Sequence, residues 1–215
     1  MGRCYPAAAG LSQKWPGPGR PDSIRGVELD QLIRERLAAD GPDGAATALI
    51  EALGPAILRY LRSMLRVEDD AADAFSQWSE NVWHGLPGFR GESSLKTWGY
   101  RLAWNAAQNL RNEAWRRRGQ RLETGQALAL AMSIRTRSVV VVERQRQALD
   151  ELRAALSEED RSLLVLRLDQ QLSWNEVAEV LATEGKKVDP ATLTKRFERV
   201  KAKLGELARA RGLIE

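Results

Sequence analysis

The stretch FRGESSLKTWGYRLAWNAAQNLRNEAWRRR, residues 89–118, decides the fold class of this chain. From residue 98 its apolar side chains recur every four residues, which is typical of one side of an α-helix. These side chains are Trp98, Leu102, Ala106, Leu110 and Ala114. Ser93 or Ser94 is expected to cap the first turn, because a serine oxygen accepts an otherwise unpaired backbone N–H. The stretch therefore predicts a long amphipathic helix.

The rest of this helix is rich in amide, guanidinium and indole groups. The side opposite the apolar stripe carries Arg101, Asn105, Gln108, Asn112 and Arg116. The flank between the two sides carries Tyr100, Trp104, Arg111 and Trp115. Arg, Asn and Gln pair bidentately with base edges, and aromatic rings beside arginines stack on unpaired bases. The pattern fits a nucleic-acid-binding helix, but it also fits a core helix with a solvated basic face.

Composition places the chain among globular proteins. It has 215 residues, 43% of them hydrophobic and 29% charged, which allows one large or two small domains. The net charge of +4 is only mildly basic, so binding to nucleic acid must be argued from where the charge lies. Cys4 and His84 are the only cysteine and histidine, which excludes a disulfide framework and a Cys/His metal site.

Targeting features are not found in the sequence. No apolar run approaches the ~20 residues that cross a bilayer, and no apolar segment of a secretory signal follows Arg3. We therefore expect a cytoplasmic protein without membrane insertion. We find no acid–base pair, no nucleophile–base pair and no phosphate-binding glycine loop, so we expect neither an enzyme nor a cofactor or metal.

The N-terminal segment differs from the rest of the chain. Residues 1–27 contain five Gly and four Pro and little apolar surface, which predicts a disordered arm. Its arginines could touch DNA, but an unstructured leader without function explains it as well.

Three helices are expected between residues 28 and 86. The first ends near Gly41, and the second opens near Asp43. Gly54-Pro55 interrupts the second and predicts a kink or two helices there, because proline lacks the N–H and clashes with the preceding turn. Asp69 or Asp70 is expected to cap the third. An exposed Trp83 on this last helix could anchor a partner protein or pack against a neighbouring helix.

The last third of the chain predicts a helix-turn-helix. Residues 119–142 read as a linker that becomes helical by residue 143. Ser173 and Glu176 then fit a capping box, and Asp189-Pro190 opens a second, basic helix. The outward side of this helix carries Thr192, Lys195, Arg196, Arg199 and Lys203. A short capped helix followed by a basic amphipathic one is typical of DNA readers, although a helical hairpin with a solvated basic side fits too.

Three stretches of the chain resemble bacterial RNA polymerase sigma factors of the sigma-70 family, extracytoplasmic-function type. Residues 69–83, DDAADAFSQWSENVW, are similar to region 2.2, and residues 89–118 are similar to regions 2.3 and 2.4. LSWNEVAEVL at residues 172–181 and VDPATLTKRFERVKAKL at residues 188–204 are similar to the region 4.2 helix-turn-helix. The chain departs from the family pattern at Trp104, where an Arg is usual, and in a longer connection at residues 182–188.

The resemblance implies a role for each matching residue. The residues that would contact the clamp coiled coil of core RNA polymerase are Asp73, Gln77, Glu80 and Trp83. The minus-ten element would be bound by Phe89, Arg90, Glu92, Ser93, Ser94, Lys96, Tyr100, Arg101, Trp104, Asn105, Gln108 and Asn112. Thr192, Lys195, Arg196, Arg199 and Lys203 would bind the minus-thirty-five element.

The resemblance also implies the architecture and the function. We expect an all-α protein with a disordered arm at 1–27, a sigma-2-like helical bundle at 28–118, a flexible linker at 119–142 and a sigma-4-like helix-turn-helix domain at 143–210. It would bind core polymerase and promoter DNA, both as duplex and as melted non-template strand, and initiate transcription. An anti-sigma factor is left open as a partner. The alternative is a helix-turn-helix regulator whose N-terminal half senses a ligand or partner.

Overall fold

Helices make up most of the part of the chain that the structure describes. The computed structural model describes residues 26–65, 67–114, 155–182 and 187–210, except that the side chains of residues 111–114 lie outside the description. Within these ranges the backbone forms helices and turns and no strand, which confirms the all-α prediction.

The N-terminal half is a three-helix bundle. Its helices are α1 (Gly26–Met64), α2 (Glu68–Gly85) and α3 (Leu95–Ala114), and a 3-10 turn (Leu86–Gly88) follows α2. The three helices pack pairwise around apolar side chains that are fully buried, because their stripes repeat at helical spacing. The largest of these are Trp78, Tyr60, Tyr100 and Phe75.

Two predicted interruptions of α1 have different outcomes. The chain bends at Gly41, which has a φ of 71°, a value that glycine adopts without steric strain. The first predicted boundary is therefore confirmed. At Gly54-Pro55 the prediction is a kink or two helices, and two separate helices are wrong because α1 continues through Pro55 with helical backbone angles. Gly54 has no Cβ to meet the proline ring, which removes part of the usual clash.

The predicted caps of α2 and α3 also differ in outcome. Val67 precedes α2 and offers no side-chain cap, so the prediction of Asp69 or Asp70 as N-cap is wrong. Both aspartates instead lie in the first turn, where a negative charge suits the helix dipole. The Ser94 hydroxyl accepts the Thr97 N–H at 3.0 Å, which confirms a serine cap for α3.

The C-terminal half contains α4 (Glu158–Leu164), a π-helical turn (Val165–Asp169), α5 (Trp174–Leu181) and α6 (Pro190–Ala210). The capping box of Ser173 and Glu176 is present at the start of α5, as predicted. The Asp189 carboxylate accepts the Thr192 N–H at 3.0 Å at the start of α6, so this predicted cap is also confirmed.

The two halves are packed together. Helix α5 lies against α3, and α4 lies against α1. A buried hydrogen bond of 2.5 Å joins the Tyr60 hydroxyl on α1 to the Ser162 hydroxyl on α4. The base-binding helix that the sequence predicts therefore lies at the junction of the two halves.

Several predictions fall outside the described residues. They concern residues 1–25 of the predicted arm, the linker at 119–142 and the start of a helix at residue 143. The side chains of Arg111, Asn112 and Trp115 also lie outside the described part of the chain. None of the described helices is long and apolar enough to span a bilayer. Within the same ranges, no group of three or more His, Cys, Asp or Glu side chains is arranged to hold a metal ion.

Candidate nucleic-acid interface

The loop before α3 presents both exposed and half-buried side chains. Arg90 and Glu92 are exposed, whereas Phe89, Ser93 and Ser94 are half-buried. A second group of predicted DNA contacts follows on α3, where Arg101 is exposed and Asn105 and Gln108 are half-buried. These side chains can meet a DNA strand that runs along the outer side of the bundle.

The loop itself has a defined shape. The Phe89 ring packs against Trp98, with 5.3 Å between the ring centroids. Gly91 adopts a φ of 73°, a left-handed conformation that glycine tolerates best. The loop is therefore held at the start of α3 by a ring contact and a turn.

The two aromatic residues predicted to stack on unpaired bases are buried. Tyr100 is 0% exposed and Trp104 is 3% exposed. The Tyr100 ring meets Tyr60 edge to face at 5.2 Å. Thr97, Tyr100 and Trp104 are spaced by three and four residues, so they share one side of α3. The flank of the helix is thus buried more deeply than the sequence suggested.

The polar atoms of these two rings lack hydrogen-bond partners among the described residues. They are the Tyr100 hydroxyl and the Trp104 indole nitrogen, Nε1. Burial raises the pKa of Tyr100 well above its ordinary value, and the nearby Tyr60 and Asp169 raise it further. A buried polar group without a partner costs about 1–3 kcal/mol, so this packing of the two halves is not optimal for α3.

Lys96 and Thr97, in the first turn of α3, contact the C-terminal half. The Lys96 ammonium donates to the Gln170 carbonyl oxygen at 3.0 Å, and the Thr97 hydroxyl donates to the Glu176 carboxylate at 3.1 Å. Burial lowers the pKa of Lys96, and the negative charge of Glu176, which raises this pKa, offsets only part of the effect. A lysine predicted to meet DNA is therefore engaged by the chain itself.

Glu176 has two roles at once. Its carboxylate accepts the Ser173 N–H at 2.8 Å, which completes the capping box of α5, and it accepts the Thr97 hydroxyl of α3. Burial alone would raise the pKa of Glu176, but the hydrogen bonds from Ser173 and Thr97 and the charge of Lys96 outweigh it, so the pKa lies below its ordinary value. The carboxylate is therefore ionised at neutral pH.

The predicted recognition helix α6 exposes most of its chosen residues. Thr192, Lys195, Arg199 and Lys203 are exposed. All of these except Lys195 border an open groove beside α4, which is lined by Asp160, Thr192, Arg196, Arg199, Val200 and Lys203. The cations on this side can approach phosphates of a duplex.

Arg196 is the exception on α6. Its Nε donates to Asp160 at 2.6 Å and its Nη1 donates to Glu159 at 2.7 Å. Burial lowers the pKa of Arg196, but these two carboxylates outweigh it and raise the pKa above its ordinary value. In this structure the guanidinium therefore ties α6 to the start of α4.

The residues predicted to contact core polymerase lie along α2. Asp73 is exposed, and Gln77, Glu80 and Trp83 are half-buried. Trp83 packs in part against the core, so both of its possible roles are compatible with its position.

Comparison with known proteins agrees with this geometry. The family model described as Sigma-70 region 2 matches residues 49–119, which include the second half of α1, all of α2 and all of α3. The RNA polymerase sigma factor YlaC of Bacillus subtilis (strain 168) is 29% identical over 147 residues, which are 66% of this chain and 82% of that protein. Residues 49–119 are therefore similar to Sigma-70 region 2, and the chain is similar to an RNA polymerase sigma factor.

A solved structure shares the fold of this chain. It is the structure of CnrH in complex with the cytosolic domain of CnrY, which is 21% identical and has a TM-score of 0.56. The alignment covers 85% of this chain and 98% of that chain.

Two residues at the interface were not predicted. Glu176 was assigned only to a helix cap, although its carboxylate also meets α3. Asp30 was assigned no role, and its carboxylate accepts the Leu95 N–H at the start of α3. Helical periodicity carries no signal for either contact, because both join residues that are far apart in the chain.

Proposed function

We propose that this chain is a sigma factor, which captures the unpaired non-template strand of the minus-ten element with α3 and with residues 89–94 before it. The observation that carries the proposal is on one side of α3, where the Tyr100 hydroxyl and the Trp104 indole N–H have no hydrogen-bond partner within the ranges that the structure describes. Flat rings with free polar atoms suit a base, which offers both a π-face and hydrogen-bonding edges.

The energetics of promoter opening favour such a role. Opening a duplex breaks stacking worth about 1.4 kcal/mol per base step, and a protein without ATP hydrolysis must offset this by binding the open form. Stacking on an aromatic ring supplies about 1–3 kcal/mol per base. Phosphate attraction by Arg101 is similar for closed and open DNA, so it contributes to affinity more than to opening.

The capture of a strand requires a change in the packing of the two halves. Tyr100 and Trp104 are buried, and Thr97 on the same side of α3 contacts Glu176 of α5, so the C-terminal half moves away before these rings meet a base. Separation also frees Lys96 from Gln170 and Thr97 from Glu176. Two buried groups then gain partners, which offsets part of the cost of separation.

We assign the remaining contacts by the same reasoning. The side chains of α2 from Asp73 to Trp83 bind core polymerase, and α6 binds the minus-thirty-five element through Lys195, Arg199 and Lys203. We divide the molecule into a sigma-2-like domain at 28–118 and a sigma-4-like domain at 143–210. Sigma factors are in general regulators rather than catalysts, so we assign no reaction.

Location and regulation follow from the family. We place the protein in the cytoplasm, where sigma factors act. We also include a protein regulator of the anti-sigma type among its partners, because the solved relative CnrH is in complex with the cytosolic domain of CnrY.

Strand binding by the reconstituted holoenzyme tests this proposal. Tyr100→Leu and Trp104→Leu keep apolar volume but remove the flat ring, so each should weaken binding of a fluorescent single-stranded minus-ten oligonucleotide by about 1–3 kcal/mol. Phe75→Leu is the matched control, because Phe75 is a fully buried ring on α2. The Phe75→Leu variant should lose a similar amount of stability, but its affinity for the strand should be unchanged.

The contrary result is equally clear. If the two α3 variants bind the strand as tightly as the Phe75 variant does, the rings serve core packing alone and the strand is captured elsewhere.

A further inference from the structure

The N-terminus of α3 is capped from a distant part of the chain. The first four N–H groups of a helix have no partner within the helix. Ser94 serves one of them, since its hydroxyl accepts the Thr97 N–H, and its carbonyl accepts the first bond within the helix, from the Trp98 N–H at 2.9 Å. The Leu95 N–H donates instead to the Asp30 carboxylate on α1 at 3.0 Å.

Asp30 is held in place by the packing of its own helix. Its neighbour Leu29 is 0% exposed and Ile33 is 3% exposed, so the first turns of α1 are anchored in the core. Gly26 lies beside the loop, where an added Cβ would be 3.9 Å from the Cβ of Ser94. The carboxylate therefore acts from a fixed support, and its negative charge suits the start of a helix.

This contact lies at the point where the loop of residues 89–94 becomes helix. One end of the loop is fixed by the Phe89–Trp98 ring contact, and the other end joins α3 at Leu95. Asp30 itself precedes the stretch matched to Sigma-70 region 2, which begins at residue 49. The first turns of α1 thus support a loop that belongs to the matched region.

We infer that Asp30 is a positioning residue for strand capture, which holds the Leu95 end of the loop in the geometry that receives the unpaired base. The inference rests on the proposed function of α3. Loss of the carboxylate leaves the Leu95 N–H without its partner and lets the loop and the first turn of α3 move. Binding to core polymerase through α2 and to duplex DNA through α6 does not depend on this contact.

Three variants test the inference in holoenzyme made with the full chain. Asp30→Ala removes the acceptor, Asp30→Asn keeps an amide oxygen that can accept the same N–H, and Glu35→Ala removes an exposed carboxylate from the same helix. The probes are a single-stranded minus-ten oligonucleotide and a minus-thirty-five duplex, both from a promoter that the wild-type holoenzyme transcribes. Exchange of the Leu95 amide hydrogen is measured in the free chain.

The expected pattern separates positioning from general stability. Asp30→Ala should weaken strand binding about tenfold, the effect of losing one charged hydrogen bond, and should leave the dissociation constant of the duplex unchanged. Leu95 exchange should become faster in the same variant. Asp30→Asn and Glu35→Ala should stay close to wild type in all three measurements.

Two results would overturn the inference. One is wild-type strand affinity or wild-type Leu95 exchange in Asp30→Ala. The other is an equal loss of strand and duplex binding in Asp30→Ala and Asp30→Asn, which indicates a general effect on the fold. If the wild-type holoenzyme itself does not bind the strand, the proposed function fails, and the exchange result still reports whether Asp30 caps Leu95.

Discussion

Arg196 and Arg199 lie one turn apart on α6 but are in different surroundings. The Arg196 guanidinium is engaged by Asp160 and Glu159, whereas Arg199 is exposed. The sequence predicts that both read the minus-thirty-five element, and this stays a prediction. To reach a base, the Arg196 side chain would have to break its hydrogen bonds with the carboxylates of Asp160 and Glu159. We therefore expect Arg196 to orient α6 and Arg199 to contact DNA.

Alanine variants of the two arginines separate these roles. Arg196→Ala should lower the free energy of unfolding by about 1 kcal/mol, the upper range for a partly exposed ion pair. Arg199→Ala should change stability by less than about 0.5 kcal/mol, and it should weaken duplex binding by about 1–3 kcal/mol if it pairs with a base. Thermal unfolding and duplex titration are the measurements. Unchanged stability and relaxed base preference in Arg196→Ala would show that Arg196 reads a base after all.

Glycine allows close contact between elements inside the bundle. A Cβ at Gly99 on α3 would lie 2.5 Å from Cδ2 of Leu53 on α1, and the Gly99 carbonyl accepts the indole N–H of Trp78 on α2 at 2.9 Å. Three helices therefore meet at this one residue. Gly205 on α6 is different, because the nearest atom to its added Cβ is at the end of the Arg209 side chain, 3.7 Å away.

Substitution by alanine at these two glycines should have opposite effects. Gly99→Ala should destabilise the protein by about 1–3 kcal/mol, because Leu53 must move within a packed core. Gly205→Ala should stabilise it by about 0.4–1 kcal/mol, because alanine is the better helix former and nothing blocks it. Thermal unfolding measures both. A neutral Gly99→Ala would mean that α1 and α3 are packed more loosely than described.

At the scale of elements, local patterns predicted much of the structure. The stripes of α3 and α6, the Ser94 cap, the capping box of α5 and the Asp189 cap all depend on residues within one or two turns. The prediction of two separate helices at Pro55 is wrong because tolerance of a proline depends on the residue before it. The predicted caps Asp69 and Asp70 were wrong because helix α2 begins earlier than the first aspartate.

At the scale of the whole molecule, the packing of the two halves could not be predicted. It rests on pairs that are 74, 79 and 102 residues apart, namely Lys96–Gln170, Thr97–Glu176 and Tyr60–Ser162. Such pairs leave no periodic pattern in the sequence. Tyr100 and Trp104 are buried in this arrangement, and the proposed capture of a strand therefore includes a rearrangement of the halves.

Permanganate reactivity of promoter thymines tests promoter opening by this sigma factor most directly. The measurement uses a duplex promoter with core polymerase alone, with the sigma factor alone and with both. We predict reactive thymines in the minus-ten region only when both proteins are present. The contrary result is that the chain alone binds the duplex, while core polymerase with the chain leaves every thymine unreactive. The chain would then act as a helix-turn-helix regulator that does not open DNA.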